Sequence, residues 1–408
     1  MAALVLAVAA GPAAAQIGLP GGIDPAGTLD RTRSAVSGIT DDALDRSLDT
    51  ISSTARSARE LAQDRVARLR DFVSARQGSV DWDEQHDPAR AGEVLLLDPD
   101  AQGLATAAMH GFTLIEQSEV KGLGVTYARL AVPKGDTLAR ALADLRKALP
   151  DREITADQLH FPSGANTSRT SAATTPNLPQ GGTVGVIDGA IAGSDRLAAQ
   201  GSFARGAPRP SDHASAIASL LKGAGTARIY GADVYGGDPA GGNALAIARA
   251  LGWMAARQVP VVSISLVGPA NPLLARTVAA ARSKGMIIVA AVGNDGAAAP
   301  PAYPASYPGV VAVTGVDGRG RVLIEAGKAT HLDYAAPGAD MTALVPGKAR
   351  IRLRGTSFAA PLVAARIAAL TGPGKSWAAV LKATDAEAAS PSRKTGRGLL
   401  CMRCRTGK

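Results

Sequence analysis

From residue 182 to about residue 400 the chain alternates short apolar runs with helical stretches, and no other feature constrains its fold as much. TVGVID (183–188), PVVSISLVG (260–268) and MIIVAAVGN (286–294) are dense in Val and Ile and end on Gly, Asp or Asn, which is how short buried strands read. Between and around them, residues 213–223, 243–258, 272–285 and 357–372 repeat apolar positions at helical spacing. Strands without polar alternation are buried on both faces. The pattern therefore predicts an α/β domain over 182–400, a parallel sheet with helices on both faces. In such sheets the reactive groups collect at the carboxyl ends of the strands.

At 408 residues the chain exceeds one small domain. Residues 91–162 read β-α-β-β-α-β, the order of a small ferredoxin-like α+β domain. Residues 163–181 are rich in Ser, Thr, Ala and Pro, and read as an exposed, cleavable linker. Residues 41–90 form a helical segment, with apolar positions from Leu44 to Val73 in steps of three and four. Residues 16–40 are a Gly/Pro/Ser/Thr linker. Over 1–15 an apolar run ends in Ala13-Ala14-Ala15 before Gln16, which predicts a signal peptide and a secreted or periplasmic protein. No later segment reaches about 18 uninterrupted apolar residues, so no integral membrane segment is expected.

The net charge is +9, and 33 of the 44 basic residues are Arg. They are scattered along the chain, and aromatic residues, at 3%, leave little for base stacking, so nucleic acid is not expected as a partner. The only cysteines are Cys401 and Cys404 in a basic tail, 401–408. That excludes a disulfide-framework fold and a Cys-ligated zinc core, and favours a local disulfide. Gly372-Pro373-Gly374-Lys375-Ser376 fails as a phosphate loop, because position 369 is Ala and a helix precedes it. No G-x-S-x-G elbow is present. The acidic stretch Asp81, Asp83, Glu84, His86, Asp87 reads as a solvated loop, and His86, His110, His160 and His331 as structural or exposed. No metal-ligand set is assigned.

Four polar residues stand where the predicted strands end and helices begin: Asp188, His213, Asn294 and Ser357. A serine hydroxyl becomes a nucleophile when a neutral imidazole takes its proton, and a carboxylate on the other ring nitrogen fixes the tautomer. A helix start at Ser357 would add a backbone N–H near a developing oxyanion, and Asn294 could donate to the same place.

These residues lie in blocks that resemble the subtilisin-like serine proteases. The serine block is Gly355-Thr356-Ser357-Phe358-Ala359-Ala360-Pro361, and the aspartate block Val186-Ile187-Asp188-Gly189. The oxyanion block is Ala290-Ala291-Val292-Gly293-Asn294-Asp295-Gly296, and the substrate strand Val262-Ser263-Ile264-Ser265-Leu266. They occur in the family's order of Asp, His, Asn, Ser. The resemblance implies a serine endopeptidase acting on polypeptide substrates through Asp188, His213 and Ser357, with Asn294 in the oxyanion hole. Ser265, Leu266, Val267 and Gly268 would bind substrate as an added strand. It implies no required cofactor; calcium, which many relatives bind, has no assigned loop. It also recasts 91–162 as a propeptide-like domain, a chaperone and inhibitor cut away within 163–181. The sequence departs from the family at His213-Ala214-Ser215, where His-Gly-Thr is usual. It departs again at Val267, where a glycine is usual, and Val267 is expected to crowd the primary pocket and favour small or medium side chains. The competing reading is an inactive protease-like binding or secretion-accessory protein.

Overall fold

The computed structural model describes residues 59–163, 165–169, 181–348, 350–372 and 374–405, all within the second of two units, 57–408. The expected signal peptide, the linker 16–40 and the first part of the helical segment lie outside the described residues. A helix, α1, covers 59–74.

The small domain is built on a five-stranded antiparallel sheet. Its strands are β1 (Val80–Trp82), β2 (Pro88–Leu97), β3 (Thr113–Val120), β4 (Val125–Ala131) and β5 (Ile154–Gln158). β5 pairs with β2, β2 with β4, and β4 with β3, as the β-α-β-β-α-β reading requires. Helices α2 (Ala101–Met109) and α3 (Leu138–Ala148) cover one face around Val94, Leu96, Leu130, Leu142 and Leu145. β1, which pairs with the start of β2, falls inside the stretch 41–90 read as helical. Three strand residues are too short a run to show a period of two.

A seven-stranded sheet organises the larger domain, in the order β15-β14-β13-β11-β8-β10-β9 and parallel throughout. Its strands are β8 (Gly181–Asp188), β9 (Leu197–Ser202), β10 (Thr226–Asp233), β11 (Val261–Ile264), β13 (Ile287–Ala291), β14 (Val311–Val316) and β15 (Tyr334–Pro337). Outside it, β6 (Phe161–Pro162) pairs with β12 (Leu266–Val267), and β7 (Ala165–Arg169) joins β16 (Met341–Ala343) and β17 (Ile351–Arg354). The helices are α4 (Asp212–Gly223), α5 (Ala244–Ala256), α6 (Pro272–Ser283), α7 (Ala359–Leu370) and α8 (Trp377–Glu387). α7 runs through the core on one face, packed against β8, β11, β14 and β15. Small residues permit that approach. A β-carbon at Gly182 would lie 2.4 Å from the backbone of Ala368, and Gly182 has φ +72°. α5 and α6 cover the other face, and their buried side chains form one cluster with Leu95, Leu97, Val120, Val125 and Tyr127 of the small domain. The second face of the small sheet therefore docks on α5 and α6.

Three sequence readings are corrected. The run 260–268 is two strands, because at Ser265 the chain leaves the parallel sheet. Residues 165–169 pair with β17; strand pairing uses backbone groups, so the Ser/Thr-rich run gave no apolar signal. The acidic loop is not simply solvated. Asp83 is buried, and its carboxylate accepts from Gln85 N, Asp87 N and Gln158 Nε2. Cys401 and Cys404 form a disulfide.

Candidate active site

Asp188 is the last residue of β8, at the carboxyl edge of the parallel sheet, and is 1% exposed. Its Oδ1 accepts from Gly189 N at 2.8 Å, and its Oδ2 lies 2.8 Å from His213 Nδ1. His213 is the second residue of α4, whose first turn is fixed by Ser211 accepting from Ala214 N. His213 Nε2 is 3.0 Å from Ser357 Oγ, and the ring tilts against Phe358 with centroids 5.2 Å apart. Ser357 sits in a 3₁₀ turn, Thr356–Phe358, and α7 starts only at Ala359, so the nucleophile candidate precedes the helix. Gly355, at φ +139°, turns the chain from β17 into that 3₁₀ turn. Ser265 Oγ donates to Ser357 O at 2.7 Å and Asn294 Oδ1 accepts from Thr356 N at 2.9 Å, so two strand ends fix the turn.

A peptide carbonyl already occupies the place these groups surround. Ser163 O accepts from Ser357 N at 3.0 Å and from Asn294 Nδ2. Ser163 N donates to Ser265 O at 3.1 Å, and β6 pairs antiparallel with β12, Pro162 opposite Leu266 and Phe161 opposite Val267. On the other side His160 N donates to Gly242 O at 2.8 Å, and Tyr235 Oη donates to His160 O at 2.6 Å. Beyond Ser163, β7 pairs with β17, which leads into Gly355. The segment thus crosses the site as an extended strand held on both sides. The sequence-predicted residues meet here: Asp188, His213 and Ser357 in one relay, Asn294 on the carbonyl, Ser265–Val267 on the strand. Gly268 pairs instead with Tyr303, donating from N to Tyr303 O at 3.0 Å.

Sequence reasoning missed Ser163; of the two readings left open for His160, structural or exposed, the structure shows the first. His160 is fully buried, and neither ring nitrogen has a hydrogen-bond partner. Burial pushes the imidazole down to about 4. Its ring fills the space beside Gly268, where a β-carbon would lie 2.7 Å away. Asp157 is also fully buried, at the amino end of α5, where its Oδ1 accepts from Leu245 N at 2.9 Å. Burial pushes its carboxyl up to about 7, with Glu93 adding and Leu245 N–H, Arg90 and Arg129 opposing. The available signal was position: Asp157 and His160 lie within six residues of the predicted cleavable linker, and Ser163 is its first residue.

The arrangement can move a proton from a serine hydroxyl to an imidazole beside a carbonyl polarised by two N–H donors. Among the described residues no group of three or more His, Cys, Asp or Glu side chains could hold a metal ion, and no helix is long and apolar enough to cross a membrane.

The subtilase family model matches residues 188–398. An alkaline protease of Shouchella clausii is 31% identical over 247 residues, 56% of this chain and 64% of that protein. Subtilisin BL of Lederbergia lenta is 32% identical over 213 residues, 48% of this chain and 78% of that protein. The chain thus spans less than two thirds of the alkaline protease it matches. The crystal structure of fervidolysin from Fervidobacterium pennivorans shares the fold, with a TM-score of 0.63 at 16% identity, over 78% of this chain and 61% of that one. With its four sequence blocks gathered at one sheet edge and the family model matching more than half its length, the chain belongs to the subtilase family.

Proposed function

We propose that the protein is an exported serine endopeptidase made as a precursor that cuts its own chain after Ser163. The observation that carries this reading is the Ser163 carbonyl, held between Ser357 N and Asn294 Nδ2 while Ser357 Oγ lies on His213 Nε2. Ser357 Oγ attacks the Ser163 carbonyl carbon, and His213 takes the hydroxyl proton. Asp188 stabilises the imidazolium, and Asn294 and Ser357 N–H hold the oxyanion. The bond to Gly164 breaks as His213 returns the proton to its nitrogen, and water then releases the Ser163 acyl group. Export rests on the apolar run before Gln16. Polypeptides with small side chains at the cut position are the proposed substrates. Ser163 is small, and Val267 stands 3.5 Å from where a β-carbon on Gly293 would be.

Amino-terminal sequencing of the mature enzyme is expected to begin at Gly164, and a fluorophosphonate probe to label Ser357. A folded protein that starts elsewhere or ignores the probe would overturn the reading and favour a protease-like binding protein. Asn294→Ala is expected to lower kcat about 10²–10³-fold with little change in KM; steady-state kinetics on a chromogenic peptide check it.

The cut segment stays docked, and its hold depends on two buried groups with opposite signs. His160 is lowered to about 4, so its contribution is complete above pH ~6.5 and lost as pH falls toward 4, about 3 kcal/mol in all. Asp157 is raised to about 7, so its contribution is complete below pH ~4 and lost as pH rises toward 7, about 4 kcal/mol. The two slopes oppose between pH ~4 and ~6.5, and wild-type release is expected to vary little there. Asp157→Asn should make release faster as pH falls, by roughly 10²-fold across that window. His160→Leu should reverse the direction. Stopped-time size exclusion of the cut complex at several pH values measures both.

A further inference from the structure

α1 meets the larger domain at a place the cleft-bound segment does not reach. Its inward face is Leu61, Ala62, Arg65, Leu69, Phe72 and Val73, while Val66, Arg68 and Arg70 are exposed. Arg65 Nε lies 3.3 Å from Asp295 Oδ2, and Arg68 pairs with Asp295 Oδ1. Leu61 covers Gly296, where a β-carbon would lie 3.1 Å from its Cδ1. At the other end Phe72 packs edge-on against Phe161, centroids 4.9 Å apart, and Val73 joins a cluster with Leu159, Val80 and Ala240. Between these two anchor points a cavity of about 890 Å³ separates α1 from the cleft, lined among others by Arg65, Leu69, Phe72, Val267 and Asn294. One end of α1 therefore braces the strand that fills the cleft. The other end grips the residue directly after Asn294.

We propose that the Asp295–Gly296 corner is a docking surface for an amphipathic helix that presents arginines to it, and that α1, its occupant in this chain, is a second inhibitory element distinct from the segment in the cleft. The proposal rests on the self-processing reading. Once the bond after Ser163 is cut, the carbonyl of Ser163 and the β6–β12 pairing remain, and α1 adds a hold that does not depend on the cleft. That hold is ionic at one end, so salt should weaken it.

The test uses the full chain, allowed to cut itself, and follows retention of the fragment ending at Ser163 together with the lag before peptide hydrolysis. Arg65→Ala/Arg68→Ala is expected to be cut at the wild-type rate. Its fragment should then leave roughly three- to thirtyfold faster, with the lag shortened in proportion. Arg65→Lys/Arg68→Lys should recover most of the retention. Raising salt from about 0.05 to 0.5 M should speed release in both, by a smaller factor in the alanine variant, which keeps the Arg90–Asp238, Arg249–Glu116 and Arg276–Asp98 pairs across the same interface. Unchanged release and lag in the alanine variant, or equal salt sensitivity in both proteins, would overturn the proposal. If the double variant fails to fold, Arg68→Ala, at an exposed position, takes its place: release faster than wild type upholds the proposal and release at the wild-type rate overturns it. A wild-type chain that never yields a Gly164 terminus would instead refute self-processing, and shows itself before release is measured.

Discussion

Ser357→Ala is expected to leave the chain as a single uncut polypeptide and to lower kcat by about 10⁶-fold, the scale found for nucleophile removal in proteases of this chemistry. The substitution removes one oxygen, in a turn that is fully buried. The Ser357 N–H that donates to Ser163 O is backbone and stays, as do Asn294 Nδ2 on the same oxygen and Ser265 Oγ on Ser357 O. The segment therefore remains seated with its carbonyl polarised, but nothing attacks it. Residual hydrolysis of about 10³–10⁴-fold over water is expected from those donors alone. Intact mass measured over days at working temperature checks the result. A Gly164 terminus appearing at the wild-type rate would show that another group, or another molecule, makes the cut.

The reacting groups were legible in the sequence because each sits at a chain landmark with a local reason to be there. Asp188 ends an apolar strand, His213 lies two residues after the Ser211 cap, and Ser357 two residues after Gly355, whose positive φ favours glycine. The alternation of apolar runs and helices likewise fixed a parallel sheet, since strands buried on both faces have no polar period. What occupies the site was not legible. β6 is two residues long, β7 is Ala-Asn-Thr-Ser-Arg, and both pair with strands about a hundred or more residues away. Such pairing is carried by N–H and C=O groups that every residue has, so composition could not separate a substrate-like strand from a linker. The burial of His160 was not legible for a related reason. An isolated histidine carries no sign of burial, and its burial comes from the space left by Gly268 and from Tyr235, far along the chain. A net charge of +9 is also what a basic binding patch would give. Many arginines are instead tied up locally: Arg129 with Glu93 and Glu116, Arg249 with Glu116 and Tyr127 across the domain interface, Arg276 with Asp98 and Glu153.

Asp188→Asn is expected to lower kcat about 10⁴-fold while KM stays near the wild-type value, and the structure says why so small a change costs so much. Gly189 N–H donates to Oδ1, so the new side chain keeps its amide oxygen there and turns its NH₂ toward His213 Nδ1. A donor facing Nδ1 obliges that nitrogen to accept, and the ring proton moves to Nε2. Nε2 then carries a hydrogen toward Ser357 Oγ, 3.0 Å away, and can no longer take one from it. The substitution also removes the buried negative charge that would stabilise the imidazolium formed during attack. Asp188 hydrogen-bonds Gly189, His213 and Val234, none of them in the cleft strand, so binding of a peptide through Ser265, Leu266 and Gly242 should persist. Labelling of Ser357 by a fluorophosphonate should slow in parallel with kcat. A variant that keeps kcat within about tenfold of wild type would show that His213 does not depend on Asp188 for its tautomer. The relay drawn through these three residues would then have to be abandoned.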